Sequence, residues 1–150
     1  VIKVFKEHHR KGALKDKPWT PQVLPLQLIR FGNIVLAALP GEITTIAAQR
    51  LEKTILDVVR KKGVKKVILN SYCNSYAGYI TTFEEYQEQC YEGGHTVFGE
   101  YTLAAFQTKF KELALEMIKS PDQRNIKSIV KPVKFTPEEL QLRSYDKDLI

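Results

Sequence analysis

The stretch that decides the fold is IVLAALPGEITTIAAQRLEKTILDVVRKKGVKKVILN, residues 34–70. It opens on an apolar run, Ile34–Leu39, breaks at Pro40-Gly41, and then changes period. Ala47, Leu51, Ile55, Val58 and Val59 recur at three- and four-residue spacing, which predicts an amphipathic helix from Thr44 to about Lys62 with Thr44 or Thr45 as N-cap. Gly63 suits the position just past the helix end, and Arg60, Lys61 and Lys62 put cations at the negative end of the helix dipole. Val64–Asn70, centred on Val67-Ile68-Leu69, then reads as a buried strand. Strand, crossover helix and strand in that order make a βαβ unit with parallel strands.

Working outward, Leu24–Phe31 and Ile34–Leu39 flank Gly32-Asn33, a turn signal between strands, so a strand hairpin leads into the βαβ unit. Downstream, Thr82–Gln89 reads as a short acidic helix and Tyr101–Lys119 as a longer one carrying Leu103, Phe106, Phe110, Leu113, Leu115 and Met117. The expected fold class is therefore α/β, with residues 22–119 as its core. Residues 1–21 are rich in Lys, Arg and His and end in Lys17-Pro18-Trp19-Thr20-Pro21, whose prolines oppose regular structure; they read as an arm. Residues 120–150 read as a second arm, with one candidate strand at Ser128–Phe135.

Bulk properties set limits. With 150 residues, 43% of them hydrophobic, the chain fits one domain with a modest core. A formal charge of +6 raises an acidic partner, either nucleic acid or an anionic bilayer. The basic residues sit largely at helix ends and in the arms without interleaved aromatics, which argues against nucleic acid. No apolar run reaches the roughly 18 residues that a spanning helix needs. The chain opens on Val1 with no apolar signal core, so it is expected to be part of something longer. Cys73 and Cys90 form no CxxC pair and are read as free buried thiols.

Ligands in open α/β sheets bind beyond the carboxyl ends of parallel strands. Two loops meet that description: Pro40-Gly41-Glu42, and the segment from Asn70 through Tyr79 to Thr82. Glu42 stands between a turn glycine and a Thr-Thr pair, where its carboxylate either binds a metal or serves as a charge at the helix N-terminus. The second loop, NSYCNSYAGYITT, is crowded with tyrosines, which either line a pocket or are packed by their rings. A cation in contact with Tyr79 would favour its phenolate and make it an oxygen ligand. His8, His9 and His95 form no HExxH pattern and are read as surface or supporting residues. There is no GxSxG elbow and no phosphate-binding glycine loop.

Several short motifs occur in one order: Leu-Pro-Leu-Gln-Leu-Ile-Arg-Phe-Gly, Pro-Gly-Glu42-Ile-Thr-Thr, Tyr-Ala-Gly-Tyr79-Ile-Thr-Thr-Phe-Glu-Glu-Tyr86, Tyr91-Glu92-Gly93 and Tyr101-Thr102-Leu103. Together, over roughly Trp19 to Lys119, they resemble the neutral (alkaline, non-lysosomal) ceramidases. The resemblance implies a segment of a larger α/β catalytic domain, from its C-terminal portion. It implies a zinc enzyme that cleaves the amide of ceramide to sphingosine and a fatty acid, with the metal held by two histidines, a glutamate and a tyrosine. Glu42 matches the family's glutamate ligand, Tyr79 its tyrosine ligand, and Tyr91 a tyrosine that helps polarise the scissile carbonyl. The sequence departs from the family at Ile43, at Gly94-His95 and at Gly99-Glu100-Tyr101, positions that bear on pocket lining. The family's two zinc histidines and catalytic serine match nothing here, so a half-site is expected, inactive alone and completed by the remainder of the domain. By resemblance the setting is secreted, cell-surface or periplasmic, at the periphery of a membrane. Two rival readings are a non-catalytic module holding a lipid or anionic surface through the basic arm and Lys61–Lys66, and an amidase of another N-acyl substrate.

Overall fold

The structure, a computed structural model, describes residues 6–7, 9–12, 20–126 and 130–143. The chain divides into two units, Leu24–Ser128 on one side and Val1–Val23 with Ile129–Ile150 on the other. In the first unit, β1 (Gln27–Phe31) and β2 (Ile34–Ala38) form the expected hairpin, paired antiparallel from Phe31↔Ile34 to Gln27↔Ala38. Gly32 takes the turn at φ +58°, a left-handed conformation that costs a residue with a side chain about 1–2 kcal/mol.

After β2 comes a two-residue strand, β3 (Glu42–Ile43), and then α1 (Thr45–Val59), which closes in a 3-10 turn at Arg60–Lys62. Gly63 ends it at φ +81°, as its place in the sequence predicts. β4 (Lys66–Asn70) pairs parallel with β2, Leu36 facing Ile68, and so completes the βαβ unit. Then follow β5 (Tyr79–Ile80), α2 (Phe83–Gln87), α3 (Tyr91–Gly94) and α4 (Thr102–Met117).

The core lies between the helices and one face of the β1–β2–β4 sheet. Val35, Ala37 and Val67 meet Ala47, Leu51, Ile55, Val58 and Val59 of α1 and Leu103, Phe106, Phe110 and Ala114 of α4. The buried residues of α1 are those its periodicity predicts. In the other unit, α5 (Pro137–Arg143) opens on a reciprocal cap: the Thr136 N–H donates to Glu139 Oε2 at 2.7 Å, and the Glu139 N–H to Thr136 Oγ1 at 3.2 Å.

Several expectations need correction. β4 is buried on one face: Val67 is enclosed but Ile68 is 40% exposed, because α1 and α4 pack against the Val67 side of the sheet. Leu115 of α4 is exposed while Ala114 takes the core position. Residues 130–135 form no strand, and Val130 and Val133 are exposed; residues 128 and 129 lie outside the described residues. The cysteines are free, but Cys90 is exposed and Cys73 only partly buried. His8 and Trp19 lie outside the described residues.

Candidate active site

The chemistry-bearing loops meet through backbone hydrogen bonds. β3 and β5 pair in parallel with Glu42 directly opposite Tyr79 and Ile43 opposite Ile80. Their ladder runs from the Glu42 N–H to the Gly78 carbonyl at 2.9 Å and from the Thr44 N–H to the Ile80 carbonyl at 3.1 Å. Further N–H groups of the tyrosine loop close on the turn before β3: Cys73 to Leu39 O at 3.0 Å, Ala77 to Pro40 O at 2.8 Å and Tyr72 to Gly41 O at 3.3 Å. Two glycines permit this approach. A Cβ on Gly41 would stand 2.8 Å from the Gly78 oxygen, and one on Gly78, at φ +78°, would stand 2.6 Å from the His95 oxygen. Tyr72 and Asn74 hold left-handed φ angles of 60° and 64° without being glycine, a strain that tight tethering of the loop sustains.

Neighbouring strands lie roughly 4.8 Å apart, so the register brings the carboxylate of Glu42 and the phenol of Tyr79 together. Tyr76 donates its hydroxyl to Glu42 Oε1 at 2.6 Å. The hydroxyls of Tyr79 and Tyr72 are directed at the same carboxylate. The Tyr76 hydrogen bond first, then that of Tyr79, hold Glu42 below the usual carboxylate range, with smaller help from Tyr72 and the His95 imidazole. The reverse effect falls on the phenols. The bond to Glu42 and its negative charge push Tyr76 up to about 12 and raise Tyr79 further still. Tyr79 is thus a neutral phenol in this arrangement, and a cation would have to offset the carboxylate beside it before the phenolate formed.

Tyr91 opens α3 and is exposed. Its ring meets Tyr79 edge-on at 5.8 Å and stacks on the imidazole of His95 at 4.1 Å. His95 Nδ1 lies 2.9 Å from the Tyr91 carbonyl oxygen, and the His95 carbonyl accepts the Tyr79 N–H at 3.0 Å. Glu42, Tyr79, Tyr91 and His95 therefore form one continuous row. α3 is seated by Cys90, whose Sγ accepts the Gly93 N–H at 3.4 Å, and by Gly93, where a Cβ would crowd the Glu85 and Glu88 carbonyls at 3.2 Å. α2 is tied to the start of α1: Thr44 Oγ1 donates to Glu85 Oε2 at 2.6 Å, and Arg50 pairs with Glu84 at 2.8 Å. An open cavity of 390 Å³ lies between Ile43, Thr44, Tyr79, Glu85 and Glu92.

The structure thus brings together Glu42, Tyr79 and Tyr91 of the sequence reading. It adds Tyr72 and Tyr76, for which the crowding of tyrosines was the available signal, and it sets His95, read from the sequence as a surface or supporting residue, against Tyr91. Among the described residues no three His, Cys, Asp or Glu side chains gather as a metal site. Glu42 and Tyr79 supply two oxygen donors side by side, which suits part of a four-ligand zinc centre.

Fold and site define an α/β protein whose parallel strands end, at their carboxyl edge, in loops lined by one carboxylate and a row of phenols. Residues 9–108 match the family model described as neutral/alkaline non-lysosomal ceramidase, N-terminal. The chain is 44% identical to neutral ceramidase A of Dictyostelium discoideum over 108 residues, which is 71% of this chain and 15% of that protein. It is 42% identical to the neutral ceramidase of Pseudomonas aeruginosa over 106 residues, 71% of this chain and 16% of the relative. The crystal structure of the Pseudomonas aeruginosa neutral ceramidase superposes with a TM-score of 0.73 at 36% identity, over 78% of this chain and 18% of the solved one. A solved ceramidase complexed with C2 matches with the same values. The chain belongs to the neutral/alkaline non-lysosomal ceramidase family, and it spans about a sixth of the length of these relatives.

Proposed function

We propose that this chain is a segment of a zinc-dependent amidohydrolase that cleaves the amide of ceramide to sphingosine and a fatty acid, and that it supplies part of the catalytic site. The observation that carries the reading is the pairing of Glu42 with Tyr79 across β3 and β5 in a member of this family. Glu42 and Tyr79 would hold the zinc, and the remainder of the domain would supply two histidines and the catalytic serine. Zinc, when bound, contributes Lewis acidity toward the amide carbonyl. Glu42 is already a carboxylate at neutral pH, since the Tyr76 and Tyr79 hydroxyls stabilise its charge. Tyr76, by its bond to Oε1, fixes the direction of the carboxylate. Tyr91, whose exposed ring rests against both Tyr79 and His95, would donate its hydroxyl to the amide carbonyl oxygen as negative charge develops there.

The substrate is apolar, so the enzyme works at the periphery of a membrane; membership of the family favours a secreted, cell-surface or periplasmic setting. Among the described residues no helix is long and apolar enough to cross a membrane. The 150 residues alone should be inactive, because among the described residues Glu42 and Tyr79 are joined by no further set of metal donors.

The test uses the intact protein. Glu42→Ala should lose stoichiometric zinc by elemental analysis, and ceramide hydrolysis should fall more than about a hundredfold, since groups that merely support a ligand are worth about 10–100-fold. Unchanged zinc content in that variant refutes the ligand assignment. The exposed lysines Lys61, Lys62, Lys65 and Lys66 favour a second reading, a module that holds an anionic lipid surface without turnover. Such a module needs no stoichiometric metal, so zinc analysis of the unaltered protein separates the two.

A further inference from the structure

α1 and α4 pack against one side of the β1–β2–β4 sheet. Its register lines up Ile29, Leu36 and Ile68 in one row across the other side, with Phe31 and Ile34 in the next row toward the hairpin. These residues alternate with the core set: Val35, Ala37 and Val67 are enclosed, whereas Ile29 is 46%, Phe31 60% and Ile68 40% exposed. Both faces of the sheet are therefore apolar along these rows, which is the pattern of strands buried on both sides. A contiguous apolar patch of this kind marks an interaction surface.

The chain's own fold corresponds to 18% of the solved ceramidase it superposes on, so the larger part of that relative lies outside this fold. We infer that the outer face of the sheet, built on Ile29, Phe31, Ile34, Leu36 and Ile68, is the docking surface for an apolar layer contributed by the remaining polypeptide of the same catalytic domain. This rests on the reading of the chain as one segment of a larger hydrolase. Lys66 stands beside Ile34 at the hairpin end of the face. The covering layer accordingly carries apolar side chains over the Ile29–Leu36–Ile68 row and a polar or acidic group at the Lys66 end.

Carbene footprinting of the intact protein, read by mass spectrometry, tests the surface without altering it. In the native protein Ile29, Phe31 and Ile68 should lose labelling to the level of Val35 and Phe110, at any protein concentration and without lipid. The inference is overturned if the three residues label as strongly as in denaturant while Val35 and Phe110 stay protected. Protection that disappears on dilution would assign the face to a second copy, and protection that requires phospholipid vesicles would assign it to a bilayer; either overturns the inference as well. Zinc content and ceramide hydrolysis of the same preparation judge the proposed activity separately. A protein without either that still shields the three residues loses the activity and keeps the docking surface.

Discussion

Replacing Gly78 by Ala probes the contact that seats the His95 segment against the start of β5. Two costs add at this position. A residue with a Cβ at φ +78° pays about 1–2 kcal/mol for the left-handed conformation, partly offset by about 0.4–1 kcal/mol from the smaller freedom of the unfolded chain. The new Cβ would also stand 2.6 Å from the His95 oxygen, the atom that accepts the Tyr79 N–H at 3.0 Å. Neither atom is the end of a flexible side chain, so the backbone around His95 must retreat and that hydrogen bond is lost or stretched, at about 1–3 kcal/mol. Gly63→Ala is the control: φ is +81°, but nothing lies within 4 Å of the added carbon. Urea unfolding should place Gly63→Ala roughly 1 kcal/mol and Gly78→Ala roughly 2–4 kcal/mol below the parent, at unchanged m-value. Equal losses in the two variants would refute the reasoning, because the His95 segment would then not be pressed against the start of β5.

In the metal-free protein, Glu42→Gln should bring the Tyr76 phenol down from about 12 toward the ordinary tyrosine value, since Glu42 supplies the hydrogen bond and the charge that raise it; titration of phenolate absorbance reads the shift, and an unmoved midpoint contradicts the Tyr76–Glu42 hydrogen bond. Glu84 is held down to about 2, from 4.5, chiefly by its bond to Arg50. A depressed carboxylate contributes stability that is fully present above the unfolded value and is lost as pH falls from 4.5 toward 2. Glu84→Gln should therefore flatten that part of the acid-unfolding curve, and because the pair is exposed the effect should shrink in high salt. Phe110→Ala, at a fully enclosed position between α1, α4 and the sheet, should cost about 3–5 kcal/mol in denaturant unfolding; a loss below about 1 kcal/mol would mean that α4 does not anchor the core.

Which features were legible in the sequence follows from how each is held. α1 writes its buried stripe into a 3.6-residue period, and Gly63 is required wherever that helix stops, so both could be read directly. β3 and β5 are two residues each, too short for any period, and exist only because Gly41 and Gly78 let separate loops approach. That the two loops share one sheet edge was legible and the resemblance tied Glu42 and Tyr79 to one metal, but the register that sets them opposite each other was not. Tyr76 reaches Glu42 because Tyr72 and Asn74 turn the loop through left-handed angles that no local rule predicts for those residue types. The misreading of β4 has the opposite cause: Val67-Ile68-Leu69 is apolar on both faces, and α1 and α4 cover one of them. Cys90 was taken for a buried thiol, yet it caps α3 at the surface.

The loops that carry the site are joined by main-chain groups, and this bears on what side-chain variants can tell. The tyrosine loop reaches the turn before β3 through the N–H groups of Tyr72, Cys73 and Ala77, and β5 reaches the His95 segment through the Tyr79 N–H. None of these bonds involves the Glu42 carboxylate, whose side-chain partners are the phenols around it. Removing that carboxylate therefore takes away charge and an oxygen donor while the frame that positioned them stays closed. Changing Gly41 or Gly78 does the reverse, since it leaves every donor in the sequence but forces apart the backbones that bring them into register. A variant of Glu42 that keeps the parent's unfolding midpoint and loses function has lost chemistry, whereas a Gly78 variant that loses both has lost geometry.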